Sequence, residues 1–446
     1  MYNKNVSNIF VSELFGRNGV FMSKKTRRSI LLLSLVLIIS CLGMSSCIVF
    51  GYEGSDYITR EDVQSMIDGN MNGNVTVEGG DSYNVTINGA PIENAAAGKA
   101  LLSAVSIRCV FQTMSYGTSY YPGGTSSREK TSAGSGVIYK LDKNNGDAYI
   151  ITNYHVVYNS QSNTENGISK DIKVYLYGQE HDNYAIPATY VGGSMNYDLA
   201  ILKVDGSRVL AESNAVAVTF ADSNKVAVLD QAIAVGNPEA LGISATLGYI
   251  NVDSEYIVME GADGVTEIKI RVMRMDTAVN SGNSGGGLFD NKGELIGIVN
   301  AKLTSSENMS YAIPSSLVKC VAENILYYCD GTELENVYRC YLGINVSASK
   351  LYTEYDKENG KVHKREEISV VLINDNSLAQ GVLQVGDVIN SITVDGAKYE
   401  VNRMYIVTDA MIDARVGSVV IINVTRGDQT LDLTIDITES SLAVEK

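Results

Sequence analysis

The chain contains 446 residues, of which 45% are hydrophobic and 19% are charged. This composition is typical of a globular protein, and the length allows two or three domains with ample cores. The formal net charge of −16 at pH 7 argues against nucleic acid as the main partner, because phosphate backbones attract basic surfaces.

The N-terminal part of the chain has the pattern of a membrane or export signal. Residues 1–29 are predicted to be a basic cytoplasmic N-terminus, with lysines and arginines concentrated at residues 24–28. Residues 30–50 carry no charge and are almost wholly apolar, so they are long enough to cross a bilayer as a helix. Because the positive side of such a segment stays in the cytoplasm, the remaining chain is predicted to be extracytoplasmic and attached to the cell membrane.

Three interpretations of residues 30–50 remain open. They are predicted to be an uncleaved transmembrane anchor, a lipoprotein signal or a cleaved secretory signal. Cys41 is the better candidate for lipidation and Cys47 the poorer one. The start of the protein is likewise open between Met1 and Met22, because the basic cluster follows Met22 closely.

Residues 51–99 are predicted to form a linker or stalk that contains one small hairpin. Residues 74–77 and 84–87 alternate between apolar and polar side chains and flank a Gly-Gly-Asp turn at residues 79–81. This arrangement is typical of two short antiparallel strands.

Residues 100–330 are predicted to form a mainly β domain. Short apolar segments alternate there with turns rich in Gly, Asn and Ser, which indicates β-barrels or a β-sandwich. One helix is predicted at residues 315–329, where apolar residues recur at helical spacing. The predicted strands are residues 105–110, 136–139, 148–151, 172–176, 199–204, 231–235, 268–272 and 295–299.

Residues 337–440 are predicted to form a second, smaller domain of mixed strands and helices. Its predicted strands are residues 341–344, 368–373, 419–424 and 431–437, and its predicted helices are residues 377–380 and 401–414.

Ser284 lies in a segment that favours nucleophilic chemistry. Residues 281–286 read Ser-Gly-Asn-Ser-Gly-Gly, and glycine permits a tight turn with close backbone approach. Such a turn directs a serine hydroxyl and backbone N–H groups to one point, as acyl transfer requires. Because many surface turns have similar sequences, this segment alone is weak evidence.

Two residues upstream complete a catalytic set. His155 follows the predicted strand at residues 148–151, and Asp198 precedes the one at residues 199–204. The order His, Asp, Ser is that of the two-barrel serine proteases. A serine hydroxyl is a weak nucleophile until an imidazole takes its proton, and a carboxylate fixes the imidazole tautomer. We therefore predict His155 as base and then acid, Asp198 as the residue that orients it, and Ser284 as nucleophile. The backbone N–H groups of Gly282 and Ser284 are predicted to form the oxyanion hole.

Each of these residues also has a purely structural interpretation. A histidine after a strand is more often a core or surface residue, an aspartate at a strand start usually belongs to a turn, and a Gly-Asn-Ser-Gly turn is usually only a turn. Their joint occurrence in this order favours catalysis. His181 and His363 lie in polar segments, so His155 is the good candidate base. Scattered histidines and cysteines argue against a zinc site, and no metal or cofactor is predicted.

Residues 100–328 resemble the HtrA (Deg-type) trypsin-like serine proteases, and residues 337–437 resemble the PDZ domain that follows in that family. The resemblance implies a mainly β fold, with a chymotrypsin-like double β-barrel, then a PDZ domain, and an N-terminal membrane or signal helix. It also implies an endopeptidase that acts on unfolded or damaged proteins and assembles as a homotrimer or larger. The matching segments are residues 132–138, 151–157, 197–203, 234–238, 276–286 and 311–314.

Some positions depart from the family pattern. Ser281 and Gly287 stand where the family usually has proline, and both changes are expected to loosen the turn around Ser284. Residues 239–242 also depart from the usual Pro-aromatic-Gly-Leu run.

The substrate-binding surface is predicted partly from the resemblance. It implies a pocket for small or medium aliphatic side chains. The strand edge at Ile298, Val299 and Asn300 is predicted to pair with an extended substrate through backbone groups.

In the second domain, Tyr341, Leu342, Gly343 and Ile344 resemble the carboxylate-binding loop of PDZ domains. Their N–H groups are predicted to hold a peptide C-terminus while the following strand edge pairs with the peptide. An ordinary loop followed by a strand is the alternative.

The cysteines leave two alternatives open. Cys109, Cys320, Cys329 and Cys340 follow the N-terminal segment. Either a disulfide bridge or buried free thiols fits an extracytoplasmic chain.

The sequence therefore predicts an exported, membrane-associated serine endopeptidase with a peptide-binding PDZ domain. The alternative is a catalytically weak or inactive PDZ scaffold or peptide sensor on a protease fold. A third interpretation is a chaperone-like holdase.

Overall fold

The computed structural model describes residues 75–79, 83–87, 90–115, 126–300, 309–328 and 337–445. The predicted membrane or signal segment at residues 30–50 and the basic N-terminus lie outside these ranges. Within them, no helix combines the length and the apolar character needed to cross a membrane. The described residues from residue 85 onward belong to one compact unit.

The first described elements form a small sheet and a helix. The strands β1 (Val75–Gly79), β2 (Tyr83–Ile87) and β3 (Ala90–Pro91) are neighbours in that order, and helix α1 (Ile92–Ser103) follows. Helix α1 crosses the predicted boundary between the linker and the protease domain. Its residues Ala96 and Ala100 are buried in a core that includes strands of both barrels, so the end of the predicted linker is part of the barrel domain.

Six antiparallel strands close into a first barrel in the order β4-β5-β6-β9-β8-β7. Alternate apolar side chains, such as Ile107, Ile150 and Leu202, fill its interior, as the period of two in a strand requires. The single-turn helix α2 (Tyr154–Val157) follows β6, and α3 (Arg208–Glu212) follows β9. The strands are β4 (Ala104–Ser115), β5 (Ser126–Asp142), β6 (Asp147–Thr152), β7 (Asp171–Leu176), β8 (Ile186–Ser194) and β9 (Leu199–Val204).

A second barrel closes in the order β10-β11-β12-β15-β14-β13. The strand pattern alone left barrels and a sandwich open, and the structure has the two barrels that the family resemblance implied. Helix α4 (Ser315–Tyr328) follows β15 close to the predicted position, and its apolar face packs into the core shared by the barrels. The strands are β10 (Gln231–Gly236), β11 (Ser244–Glu260), β12 (Glu267–Met275), β13 (Gly287–Phe289), β14 (Leu295–Asn300) and β15 (Ser310–Pro314).

The C-terminal unit contains a six-stranded sheet, in which five strands follow the order β17-β18-β19-β21-β22 and β20 pairs with β19. Helix α5 (Met404–Asp413) packs on this sheet, and β16 pairs with β23 beside it. The predicted helix at residues 377–380 is a turn, so that prediction was wrong. The strands are β16 (Val337–Cys340), β17 (Ile344–Asp356), β18 (Lys361–Ile373), β19 (Val388–Val394), β20 (Ala397–Glu400), β21 (Val419–Arg426), β22 (Gln429–Asp436) and β23 (Leu442–Glu445).

The cysteines that the structure describes are buried free thiols. They are Cys109 in β4, Cys320 in α4 and Cys340 in β16. Burial raises the pKa of the Cys340 thiol to about 12, so this thiol remains protonated and unreactive at neutral pH.

The C-terminal unit is joined to the barrels by a buried polar contact. Arg271 in β12 forms an ion pair with Asp409 in α5, and the two side chains are only 3% and 8% exposed. The Arg271 guanidinium also lies over the ring of Tyr405, 4.0 Å from its centroid. Asn324 in α4 donates to the backbone carbonyl of Ile412 in α5 at 2.7 Å. Helix α5 is therefore held on both β12 and α4.

We expect the substitution Arg271→Met to destabilise the protein by about 3–5 kcal/mol, because it leaves the Asp409 carboxylate buried without its counter-charge. The double variant Arg271→Met/Asp409→Leu removes both charges and should recover much of this loss. Thermal and urea unfolding of the three proteins measure the difference. A double variant as unstable as the single one would contradict this account of the contact.

Candidate active site

His155 is presented by the short turn that follows β6. The residues on either side of it, Tyr154 and Val156, are buried in the first barrel at 2% and 1% exposure. The His155 side chain is 19% exposed. The neighbouring Asn153 donates its side-chain N–H to the backbone carbonyl of Asp198 at 2.8 Å. The apolar neighbours therefore anchor the turn, and the imidazole is directed outward from it.

Asp198 lies in the turn between β8 and β9 and contacts His155 twice. Its Oδ2 is 2.7 Å from Nδ1 of the imidazole, and its Oδ1 accepts the backbone N–H of His155 at 3.0 Å. A carboxylate beside Nδ1 favours the tautomer with the proton on Nδ1. Nε2 is then the ring nitrogen that can accept a proton. Asp198 adopts a left-handed backbone conformation with φ of 48°, which the surrounding contacts maintain.

Asn300, at the end of β14, makes a third contact with the Asp198 carboxylate. Its Nδ2 donates to Oδ2 of Asp198 at 2.9 Å, and the Asn300 residue is 1% exposed. A buried carboxylate needs such donors, because its charge is costly to remove from water. The sequence reasoning assigned Asn300 to substrate binding and missed this contact. The available signal was a polar residue at the end of the apolar strand at residues 295–299.

The turn that carries Ser284 packs directly against the segment that carries His155. The backbone carbonyl of Ser284 accepts the N–H of Ser135 at 2.8 Å. A Cβ atom added to Gly285 would lie 2.2 Å from the Ser135 carbonyl oxygen and 2.9 Å from the Asn153 nitrogen. Only a glycine allows this approach, and its φ of 83° also favours glycine. Ser284 of the second barrel is thereby held beside the His155 turn of the first.

The predicted oxyanion donors lie in this same turn. The Gly282 residue has a φ of 98°, and its carbonyl oxygen accepts the hydroxyl of Ser135 at 2.7 Å. Serine at position 281 lacks the ring that restrains the backbone of a proline. Its carbonyl, however, accepts the N–H of Glu239 at 2.7 Å. The turn is therefore fixed by hydrogen bonds at the position where the family usually has proline.

Gly287, the second residue expected to loosen the turn, lies in a strand beside it. It is the first residue of β13 and pairs with Val235 on one side and Ile298 on the other. A Cβ atom there would lie 2.3 Å from the ring of Phe289. A side chain at this position would therefore require the buried Phe289 ring to move.

The strand at Ile298, Val299 and Asn300 was predicted to pair with an extended substrate through an open edge. The edge is not open, so the prediction was wrong for Ile298 and Val299. Ile298 pairs with Gly287 and with Ile313 on its two sides. The N–H of Val299 donates to Gly286 at 2.8 Å, and its carbonyl accepts from Gly285 at 2.9 Å. These backbone groups hold the Ser284 turn and are not available to a substrate.

The predicted carboxylate-binding loop lies between β16 and β17. Leu342 is buried at 4% exposure, whereas Tyr341 is 45% exposed. The carbonyl of Leu342 accepts from Ala379 at 3.0 Å, and the carbonyl of Gly343 accepts from Asn374 at 2.8 Å. In a trans peptide the N–H points opposite to the C=O. The N–H groups of Gly343 and Ile344 therefore point away from these partners.

Comparison with known proteins finds similarity between the barrel domain and serine proteases. The family model described as trypsin-like peptidase domain matches residues 134–298, a range that includes His155, Asp198 and Ser284. The chain is 32% identical over 295 residues to the serine protease Do-like HtrA of Lactococcus lactis, covering 63% of this chain and 65% of that protein. It is 32% identical over 279 residues to the periplasmic serine endoprotease DegP of Escherichia coli, covering 60% of this chain and 50% of that protein.

The chain thus spans between about half and just under two thirds of the length of these curated relatives. Among solved structures, one described as HtrA-type protease AlgW with decapeptide aligns with 79% of this chain and 99% of its own, at 24% identity and a TM-score of 0.46.

We expect Gly285→Ala to lower both the thermal midpoint and any activity of Ser284. The introduced alanine must adopt a left-handed backbone, which is unfavourable by about 1–2 kcal/mol for a residue with a Cβ. Its Cβ also clashes with neighbouring atoms, which costs about 1–3 kcal/mol.

Gly206→Ala is the matched control for this substitution. Gly206 has a φ of 61° but no atom within 4 Å of the added Cβ, so it carries the backbone strain without the clash. Differential scanning calorimetry of both variants measures the contribution of the contact, and equal losses would contradict it.

Proposed function

We propose that the chain, which is similar to HtrA-type, trypsin-like serine proteases, is a serine endopeptidase that cleaves proteins through an acyl-enzyme. The observation that carries the proposal is the 2.7 Å contact between Nδ1 of His155 and Oδ2 of Asp198, beside the turn that bears Ser284. The match of residues 134–298 to the trypsin-like peptidase domain supports it.

In the proposed reaction, Nε2 of His155 takes the proton of the Ser284 hydroxyl as the oxygen attacks the scissile carbonyl carbon. The carbonyl π-electrons move to oxygen, and the backbone N–H groups of Gly282 and Ser284 stabilise the resulting oxyanion. The imidazolium then gives its proton to the leaving amine as the C–N bond breaks. Water repeats the sequence on the acyl-enzyme, releasing the acid and the free Ser284 hydroxyl.

Asp198 and Asn300 support this chemistry without contacting the substrate. The carboxylate stabilises the imidazolium that forms when His155 accepts a proton. The Asn300 donor at 2.9 Å holds the carboxylate oxygen that faces the ring, so the ring and carboxylate retain their alignment. Preorganisation of this kind avoids reorientation of polar groups during the reaction.

We further propose that the substrates are unfolded or damaged proteins outside the cytoplasm. The apolar segment at residues 30–50, preceded by basic residues, supports export and attachment to the membrane. The name of one relative, a periplasmic serine endoprotease, is consistent with an extracytoplasmic location. A homotrimer or larger assembly remains a proposal from the family resemblance alone.

The C-terminal unit is proposed to act as a PDZ domain that binds peptide C-termini. Two features support this function. The N–H groups of Gly343 and Ile344 point away from the carbonyl partners of their loop, as a carboxylate site requires. In the described sheet, β17 has a neighbour only on the β18 side, and an edge strand of this kind can pair with an extended peptide.

We expect a fluorophosphonate probe to label the purified protein and Ser284→Ala to abolish the label. His155→Ala should label at least about 10³-fold more slowly, because serine loses its base. Hydrolysis of an unfolded protein such as casein should be lost in the same variants. His363→Ala is the matched control, since His363 lies in the exposed β17–β18 hairpin. A correctly folded wild-type protein that never labels would instead support the scaffold interpretation.

For the C-terminal unit, we expect a peptide with a free C-terminal carboxylate to bind about 10–100-fold more tightly than its amide. This range corresponds to about 1.5–3 kcal/mol for hydrogen bonds to a charged group. Fluorescence polarisation measures both affinities.

A matched pair of glycine variants tests the location of this peptide site. Gly343→Ala should weaken binding, because its Cβ would lie 2.2 Å from Ser377. Gly360→Ala should not, because Gly360 has a similar left-handed φ of 68° in open space at the hairpin tip. Equal affinities for acid and amide would refute the carboxylate site.

A further inference from the structure

The peptide bond between Ser281 and Gly282 is held from the side opposite to the proposed oxyanion site. The Ser281 carbonyl accepts the N–H of Glu239 at 2.7 Å. In a trans peptide the C=O and the following N–H point in opposite directions. This hydrogen bond therefore turns the Gly282 N–H away from Glu239. In the part of the chain that the structure describes, no backbone or side-chain hydrogen bond uses the Gly282 N–H.

The peptide bond between Gly282 and Asn283 is held by Ser135. The Ser135 hydroxyl accepts the N–H of Asn237 at 2.8 Å and is 2.7 Å from the Gly282 carbonyl. A hydroxyl has one proton. Because the Asn237 N–H supplies its own proton, the Ser135 proton is directed to Gly282. Ser135 is completely buried in β5 of the first barrel, so water does not compete for these bonds.

The loop at residues 237–242 is built so that one N–H group points outward to the Ser284 turn. Ala240 donates to Asn237 at 3.3 Å, Leu241 to Pro238 at 3.1 Å, and Gly242 to the Asn237 side chain at 2.7 Å. The Glu239 N–H alone among these four leaves the loop, and it reaches Ser281.

This loop adopts a backbone conformation that its side chains disfavour. Glu239 has a φ of 54° and Ala240 a φ of 59°, both left-handed, a region that favours glycine. The Glu239 side chain is exposed. The loop is also anchored to the first barrel, since the Asn237 side chain donates to the Ser106 hydroxyl at 2.6 Å. Among the described residues, no side-chain hydrogen bond of Glu239 accounts for this conformation, whereas its backbone N–H donates to Ser281.

We propose that Glu239, through its backbone N–H, and Ser135, through its hydroxyl, are positioning residues that hold the Gly282 N–H toward the oxyanion. This inference rests on the proposed function, because it assigns a role within the acyl-transfer reaction. It adds residues outside the predicted catalytic set, and one of them acts through the main chain alone.

The test compares Glu239→Gly with Glu239→Pro in the full-length protein. Proline lacks the N–H and fixes φ near −65°, so it removes the hydrogen bond to Ser281. Glycine keeps the N–H and adopts positive φ without strain. We expect kcat for peptide hydrolysis to be about 100-fold lower in the proline variant than in the glycine variant, as for loss of an oxyanion donor. KM should differ by less than about threefold, because the donor acts on the transition state. Ser135→Ala should lower kcat in the same way.

A second measurement does not depend on catalysis. Hydrogen exchange with residue-level mass spectrometry should show the amides of Glu239 and Asn237 protected in the wild-type protein, and the Asn237 amide deprotected in Ser135→Ala. Unprotected amides in the wild type, or equal kcat values for the glycine and proline variants, would overturn this inference. The proposed function would still stand if fluorophosphonate labelled the protein. Protected amides in a folded wild-type protein that fluorophosphonate never labels would overturn the proposed function and, with it, the assigned catalytic role. If the proline variant fails to fold, Ser135→Ala and the exchange data decide the outcome.

Discussion

The contact at Gly285 is the constraint on which the active-site geometry depends. The turn before β13 belongs to the second barrel, whereas Ser135, Thr152 and Asn153 belong to the first. Because Gly285 has no side chain, the two backbones can approach closely. An added Cβ would lie 2.2 Å from the Ser135 carbonyl oxygen and 2.3 Å from the Thr152 hydroxyl oxygen. Protein interiors are packed too tightly to accommodate such an overlap. The spatial relation between Ser284 and His155 is therefore set by backbone contact across the barrel boundary, which is more rigid than a contact between long side chains.

The buried carboxylate of Asp198 imposes a second requirement. Its side chain is 4% exposed, and a charge in such a place is stable only with several donors. The His155 ring, the His155 N–H and Asn300 provide them. Strain accompanies this arrangement: Asp198, Glu239 and Ala240 all have left-handed φ angles, each unfavourable by about 1–3 kcal/mol. Three strained residues close to one site indicate that the surrounding hydrogen bonds, and not local preference, determine its backbone.

The sequence predicted the parts of this site that local pattern determines. A histidine after one strand, an aspartate before another and a serine between glycines can be recognised because strand alternation and glycine content are properties of neighbouring residues. The two barrels agree with the family resemblance, whereas the pattern of short strands by itself could not distinguish barrels from a sandwich. That choice depends on which distant strands pair, for example β4 with β7 and β10 with β13, and loop closure over such separations leaves no local signature.

The residues that the sequence missed act through partners that are distant in the chain. Ser135 has an ordinary position in a strand, and only the fold brings its hydroxyl between Asn237 and Gly282. The error at Ile298 and Val299 has a related cause. An all-apolar strand such as residues 295–299 indicates burial on both faces, but it does not reveal whether its hydrogen-bonding edges are occupied. Both edges are occupied here, by the Ser284 turn and β13 on one side and β15 on the other. The side-chain pattern of a strand therefore predicts which residues are buried, whereas the availability of its backbone groups follows only from strand order.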